Sequence, residues 1–165
     1  MVRAFASSAS TIPPPPPDGG YPNGNTAEGD AALFSLTTGV NNLAVGLNAL
    51  SSNTTGGFNT STGADALLSN TIGTNNTVYR AEDMISNQIG WNNTAYGAYT
   101  LLNSTVSDNT ALGSFALREN RTGTLNTCAF SGGGRRIRAL GLPSDVAIIP
   151  RARYASKGCA RTSAG

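Results

Sequence analysis

The stretch from residue 41 to residue 80, NNLAVGLNALSSNTTGGFNTSTGADALLSNTIGTNNTVYR, repeats one phrase in which Asn, Thr, Gly and Ala-Leu return in the same order. The phrase can be followed in both directions by an asparagine that recurs with steps of 17, 17, 17, 17, 16 and 17 residues. This Asn column consists of Asn25, Asn42, Asn59, Asn76, Asn93, Asn109 and Asn126. Six complete units and the start of a seventh are present, which is typical of a solenoid.

The unit reads N-T-A-x-G-x-x-A-L-x-x-N-T-T-G-x-N, and we number its positions from 1 at the Asn column. Positions 3 and 8 are mostly alanine, and position 9 is large and apolar. This Leu column consists of Leu33, Leu50, Leu67, Met84, Leu101 and Leu117. Two small columns and one large column predict that each unit stacks on the next and buries its inner face there. We expect the stacked Asn side chains to hydrogen-bond along the axis, as Asn ladders do in cross-β stacks.

Glycine recurs at positions 5 and 15, which predicts two backbone corners in each unit, both with positive φ. Positions 1 to 4 fit a short strand, whereas the segment around positions 6 to 12 fits either a second strand or a single helical turn. The sequence therefore predicts a mainly β fold. We expect a parallel β-roll, a β-solenoid of about six 17-residue coils, with or without one short helical turn in each coil, between flexible termini.

Changes in composition divide the chain into three segments. Residues 1–24 contain a proline run, Pro13 to Pro17, followed by turn residues, which predicts a disordered Pro-rich leader. Residues 25–127 make up the repeat solenoid. Residues 128–165 leave the repeat in mid-unit and hold seven basic residues and one acidic residue. We expect an irregular basic tail there, either disordered or out of frame, because a frame shift after Thr127 would produce the same break.

The composition argues against an enzyme. The chain has no histidine, which removes the commonest general base and the commonest metal ligand. Only 12% of its residues are charged, no phosphate-binding glycine motif is present, and the acidic residues follow no repeat position. We therefore assign no catalytic residue, no cofactor-binding residue and no metal ligand, and we expect no cofactor. Whether Cys128 and Cys159 form a disulfide stays open.

The sequence shows neither of the common membrane signals. No stretch reaches the roughly 18 apolar residues of a membrane span, and no apolar region near the N-terminus is long enough for a secretory signal peptide. We therefore predict no transmembrane segment, and no signal peptide is visible in this chain.

The unit that begins at Asn76 departs most from the repeat. Arg80 stands at position 5 in place of glycine, and Asp83 stands at position 8 in place of alanine. A charge at an inward position should loosen that coil. The two interpretations are a binding bulge and drift in a redundant array, and we favour drift.

The units that follow contain the most aromatic part of the chain. We define the aromatic patch as Trp91, Tyr96, Tyr99 and Phe115. The repeat spacing brings Tyr99 and Phe115 to position 7 of adjacent coils. Exposed aromatic residues suit a contact with a glycan or a protein, and cover over a subunit interface is at least as good an interpretation.

The repeat unit, clearest over residues 42–56 and 93–101, resembles the repeats of bacterial surface and tail-fibre-like proteins. It also looks like a longer relative of the repeat in the heads of trimeric autotransporter adhesins, and the match covers roughly residues 25–127. The resemblance implies a parallel β-roll, a homo-oligomer that is a trimer, and a place outside the cell or on its surface.

The resemblance also implies the function, a structural or adhesive segment of a surface or fibre protein that contacts a host or surface glycan or protein. The alternative is a binding module that presents the aromatic patch or the basic tail to a glycan, an anionic surface or nucleic acid. Nucleic acid is the weakest of these partners, because the tail lacks the regular placement of a recognition helix.

Overall fold

The computed structural model describes residues 20–129 and 159–161, which form short strands joined by turns. The strands are β1 (Gly20–Tyr21), β2 (Asn25–Glu28), β3 (Leu43–Val45), β4 (Thr60–Thr62), β5 (Thr77–Val78), β6 (Thr94–Tyr96), β7 (Thr110–Leu112), β8 (Asn126–Cys128) and β9 (Cys159–Arg161). A short 3₁₀ turn, Pro22–Gly24, joins β1 to β2. Within the described residues, no helix is long and apolar enough to cross a bilayer.

One sheet contains all nine described strands, in chain order from β1 to β9. Strands β2 to β8 are parallel, and each of β2 to β7 pairs with the strand one unit further along the chain. The register follows the repeat, since Thr26 pairs with Leu43 and Leu43 pairs with Thr60. The predicted parallel β-solenoid of about six coils is therefore confirmed. At about 4.8 Å between strands, its seven parallel strands span roughly 30 Å.

The segment from position 6 to position 12 is neither a strand nor a helical turn. It runs through consecutive turns, and φ is positive at position 7 (58° at Asp65) and again at position 9 (53° at Leu67), which excludes both structures. Backbone hydrogen bonds still join neighbouring coils on this side. The Leu50 N–H donates to the Ala66 carbonyl at 3.1 Å, and the Leu67 N–H donates to the Asp83 carbonyl at 3.2 Å. The coils are therefore stacked through their backbones on both sides.

Left-handed backbone angles occur at positions 7, 9 and 17 of every described coil. An ordinary residue adopts this conformation at a cost of roughly 1–2 kcal/mol, which Asn and Asp tolerate best. Position 17 fits this rule, because it holds Asn41, Asn75, Asn92 and Asp108 in four of the six coils. The Leu column at position 9 does not fit it. Its cost is offset by burial, which is worth roughly 1.5–3 kcal/mol for a leucine side chain.

The core is a narrow stack between the strand side and the turn side of the coil. On the strand side, Asn25 and Ala27 of β2 face inward, and Thr26 and Glu28 are exposed. On the turn side, every residue of the Leu column is 1% exposed or less. With so few large side chains, each coil buries most of its apolar surface against the coils before and after it.

In both glycine columns a neighbouring coil approaches too closely for a Cβ, and only position 5 also has a left-handed φ. At position 5, φ lies between 113° and 141° in the five coils that have glycine there, as predicted. At position 15 the expectation of positive φ is wrong, because no glycine of that column has a left-handed φ. A Cβ at Gly56 would lie 2.4 Å from both Asn53 Oδ1 and the Gly73 carbonyl oxygen. Glycine is needed at position 15 because adjacent chain segments approach too closely for a side chain.

Antiparallel strands cover both ends of the parallel stack. At one end β1 pairs with β2, and at the other β9 pairs with β8, where Cys128 lies opposite Cys159. Cys128 is disulfide-bonded and occupies position 3 of the buried inner face. The sheet therefore includes residues of the predicted leader (Gly20–Tyr21) and of the predicted tail (Cys159–Arg161). The other residues for which disorder or an irregular tail is predicted lie outside the described ranges.

Candidate functional site

The Asn column forms a continuous hydrogen-bonded ladder inside the coils, and all seven side chains are 1% exposed or less. Asn42 shows the arrangement. Its Nδ2 donates to Asn25 Oδ1 at 3.0 Å and to the Gly56 carbonyl at 2.8 Å. Its Oδ1 accepts from the backbone N–H and the Nδ2 of Asn59 at 3.1 and 3.0 Å. Because an amide side chain has two donors and two acceptor sites, every polar site of Asn42 is satisfied, three of them by neighbouring coils and one by Gly56 of its own coil.

A second ladder runs at position 12, and the sequence reasoning missed it. Asn70 Nδ2 donates to Asn53 Oδ1, and Asn87 Nδ2 donates to Asn70 Oδ1, both at 3.0 Å. Each of these amides also donates to the position 15 glycine carbonyl of its own coil at 2.9 to 3.1 Å. The signal was present in the sequence, since the repeat unit contains an Asn at position 12. This ladder closes the corner at which the chain turns back toward the strand.

The second ladder is interrupted in the one unit that has 16 residues, residues 93–108. Ser104 replaces Asn at position 12, and the position 15 glycine is missing. The Val106 carbonyl takes over the role of the glycine carbonyl and accepts from Asn93 Nδ2 at 2.9 Å. The hydroxyl of Ser104 is buried and has no hydrogen-bond partner. This corner therefore lacks the side-chain bonds that hold the equivalent corners of other coils.

Asp83 places a carboxyl group in a buried column that holds alanine in four of the six coils. Asp83 Oδ1 accepts from the Thr100 N–H at 2.8 Å, and Oδ2 accepts from the Gly97 N–H at 3.3 Å. Burial raises the pKa of the Asp83 carboxyl to about 7, although the two backbone hydrogen bonds and the Arg80 guanidinium act in the opposite direction. The coil therefore contains a buried group whose charge changes near neutral pH.

Arg80 is exposed, and no described acidic side chain lies within ion-pair distance of its guanidinium. It does not adopt the positive φ of the position 5 glycines, and the strand before it, β5, has two residues, whereas β4 and β6 have three. Its side chain borders a shallow, open depression on the outside of the coils. The depression is lined by Thr62, Gly63, Tyr79, Arg80, Ala81 and Ala98.

The structure divides the predicted aromatic patch into separate parts. Tyr99 and Phe115 stack on adjacent coils, with ring centroids 5.2 Å apart and ring planes 15° apart. Tyr96 pairs with Tyr79 instead, which the sequence reasoning did not include, at 5.8 Å and 50°. Trp91 is exposed at position 16 and makes no ring contact with any described residue. The signal for Tyr79 was its place at position 4, one unit before Tyr96.

No protein-family model, no curated protein and no solved structure matches this chain. Its function must therefore be argued from its own geometry. Among residues 20–129 and 159–161, no group of three or more Cys, Asp or Glu side chains is placed to hold a metal ion. What the described surface offers is a regular lateral face with one irregular region around Arg80 and the two tyrosines.

Proposed function

We propose that this chain is a structural, adhesive repeat segment of an extracellular bacterial surface or fibre protein, and that it does not catalyse a reaction. The observation that carries the proposal is the way in which the two Asn ladders are satisfied. Amide groups on the inside of one coil find their partners in the next coil. Such a stack holds a fixed axial spacing and leaves its lateral face for contacts, which suits a spacer or a fibre.

We propose that the segment assembles as a homo-oligomer, and the resemblance of the repeat suggests a trimer. The second coil supports this, because Leu43, Val45 and Leu47 are 36%, 38% and 50% exposed and follow one another along its outer side. Apolar side chains that lie together on a surface favour contact with another protein surface. A second copy of the same chain presents the matching surface.

The oligomer can be tested by measuring the mass of the full chain with light scattering after size-exclusion chromatography. A trimer would have a mass of about 50 kDa, three times the 16.8 kDa of one chain. The double variant Val45→Thr, Leu47→Ala carries the residues found at these positions in the next coil (Thr62 and Ala64) and should dissociate toward 16.8 kDa. A wild-type chain that remains monomeric at all concentrations would contradict the proposed oligomer.

The location can be tested in the source bacterium with a membrane-impermeant labelling reagent and an antibody against the solenoid. Intact cells should label the chain, and a strain that lacks it should attach less well to the surfaces that the parent strain colonises. Labelling that appears only after lysis would contradict a place on the cell surface.

A further inference from the structure

The outer side of coils four and five presents an unusual combination of side chains. Tyr79 and Tyr96 stand at position 4 of adjacent coils and are 50% and 54% exposed. Beside them, at position 2, Thr77 and Thr94 pair in register. Tyr96 lies in β6 with Thr94, and Tyr79 directly follows β5, two residues after Thr77. Because side chains two residues apart in an extended chain share one face, these coils display two aromatic rings next to two hydroxyl groups.

Arg80 adds a positive charge to the edge of this surface. The Asp83 carboxyl nearby is buried and bound by backbone N–H groups, so it does not form an ion pair with the guanidinium. Three of the six residues that line the depression beside Arg80 are small, namely Gly63, Ala81 and Ala98. A planar guanidinium with free donors can hold a carboxylate through two parallel hydrogen bonds.

The backbone N–H groups on this face already donate hydrogen bonds to the following coil. The N–H groups of Thr77 and Thr94 donate to carbonyls of the following coil at 2.8 Å, and the Tyr79 N–H donates to the Ala95 carbonyl at 3.2 Å. The described ends of the sheet are covered by β1 and β9. A peptide therefore has no open strand edge here to which it could add. A ligand must instead be recognised through ring faces, hydroxyl groups and charge.

We propose that Tyr79, Arg80 and Tyr96 form a binding site for a carboxylated oligosaccharide, such as a chain of uronic acid residues. The apolar C–H face of a sugar ring packs on the tyrosine pair, while its hydroxyl groups face the threonines and Tyr hydroxyls. The Arg80 guanidinium donates two parallel hydrogen bonds to a carboxylate of the sugar. The shallow depression suits a carbohydrate chain that lies along the surface. This inference goes beyond the structural role and does not depend on where the chain is displayed.

The test is isothermal titration calorimetry of the full chain with tetragalacturonate. Arg80→Gly should weaken binding about tenfold, the value of one lost bidentate contact. This variant carries the residue that five other coils have at position 5, so it should fold. Arg80→Lys keeps the positive charge but cannot make the bidentate contact, so it should weaken binding by a smaller factor. The double variant Tyr79→Val, Tyr96→Val should also bind about tenfold more weakly. Valine is the residue at position 4 of the second coil, Val45, so the fold accommodates it there.

The matched control is Arg121→Thr, which replaces another exposed arginine with the threonine common at its repeat position. It should leave the affinity for tetragalacturonate unchanged. The proposal is overturned if tetragalacturonate does not bind at millimolar concentration, or if Arg121→Thr weakens binding as much as Arg80→Gly. Equal binding of neutral galactotetraose would overturn it as well, since the site would then not recognise the carboxylate. Equal binding of tetra-aspartate would overturn it because the site would then not recognise the sugar.

Discussion

Replacing Asp83 with alanine should destabilise the protein in acid and stabilise it at alkaline pH. Alanine is the residue that most other coils have at this position, so the backbone accommodates it. The reason for the reversal is the buried carboxyl, whose pKa is about 7 in the folded chain against an ordinary value of 3.8. Between these values the folded state binds more protons than the unfolded state. The stability of the wild-type chain should therefore fall as the pH rises through this window and level off above it.

The size of the effect follows from the pKa difference. About three pKa units at about 1.4 kcal/mol each correspond to roughly 4 kcal/mol. Arg80 and Ala81, which precede Asp83 in the chain, are exposed, and solvent on that side screens the charge of the carboxylate and lowers this cost. We therefore expect the charged carboxylate of Asp83 to cost about 2–3 kcal/mol at alkaline pH.

The alanine variant also loses an acceptor. The Gly97 N–H no longer has a hydrogen-bond partner, which costs about 1 kcal/mol. The Thr100 N–H keeps the Gly97 carbonyl at 3.2 Å, the same bond that other coils make at this corner. Asp83→Ala should thus be about 1 kcal/mol less stable than wild type below about pH 4, and about 1–2 kcal/mol more stable above about pH 8.

The assay is urea unfolding at a series of pH values, followed by far-UV circular dichroism and by the fluorescence of Trp91, the only tryptophan. Comparing wild type with the variant at each pH cancels the titration of all other groups. Asp83→Asn is the matched control, because its neutral amide should also remove the pH dependence. A difference between wild type and Asp83→Ala that stays constant from acid to alkaline pH would refute the reasoning.

Four further substitutions test the Asn ladder, two buried hydroxyl groups and one left-handed position, with urea unfolding as the common measurement. Asn59→Ala removes four ladder hydrogen bonds and should cost about 3–5 kcal/mol, and a loss below 1 kcal/mol would mean that the ladder contributes little. Ser104→Ala removes a buried hydroxyl that has no partner and should raise the free energy of unfolding by up to about 1 kcal/mol. Ser61→Ala breaks a 2.9 Å hydrogen bond to the Ala66 carbonyl and should lower the free energy of unfolding by about 1 kcal/mol. A Ser61→Ala variant more stable than Ser104→Ala would contradict this reasoning. Phe58→Asn should raise the free energy of unfolding by about 0.5–1 kcal/mol, because φ is 58° there and the ring is 57% exposed. A lower free energy of unfolding would show that the ring stabilises the fold by packing.

The parallel register could be predicted because it depends only on the number of residues in the repeat unit. A strand that recurs with the repeat must pair with its copy one unit away, and the Asn column gives the unit length without any knowledge of the backbone. Asp83 was also visible, as a charge at a column of alanines. Its chemistry was not, since the two backbone N–H groups that bind it, from Gly97 and Thr100, belong to the following coil.

The turn side could not be predicted, because its backbone conformation has no local sequence signal. Leucine is a good helix former and rarely adopts positive φ, so a segment such as residues 64–70 favours one helical turn when it is read alone. In the coil, burial of Leu67 and hydrogen bonds to the next coil outweigh that preference. The end strands were missed for a related reason, since β1 and β9 lie outside the repeat and their pairing is not encoded by it.

The departures from the repeat are concentrated in two adjacent coils, residues 76–108. Because inner groups of a solenoid bond mainly to the neighbouring coil, a polar group placed in one coil requires partners in the next. Asp83 has such partners in Thr100 and Gly97, and the 16-residue unit that supplies them also carries the unpaired hydroxyl of Ser104. The same coils carry Arg80 and the tyrosine pair on their outer side. A ligand that binds these side chains would stabilise the part of the stack that the charged carboxylate of Asp83 weakens at alkaline pH.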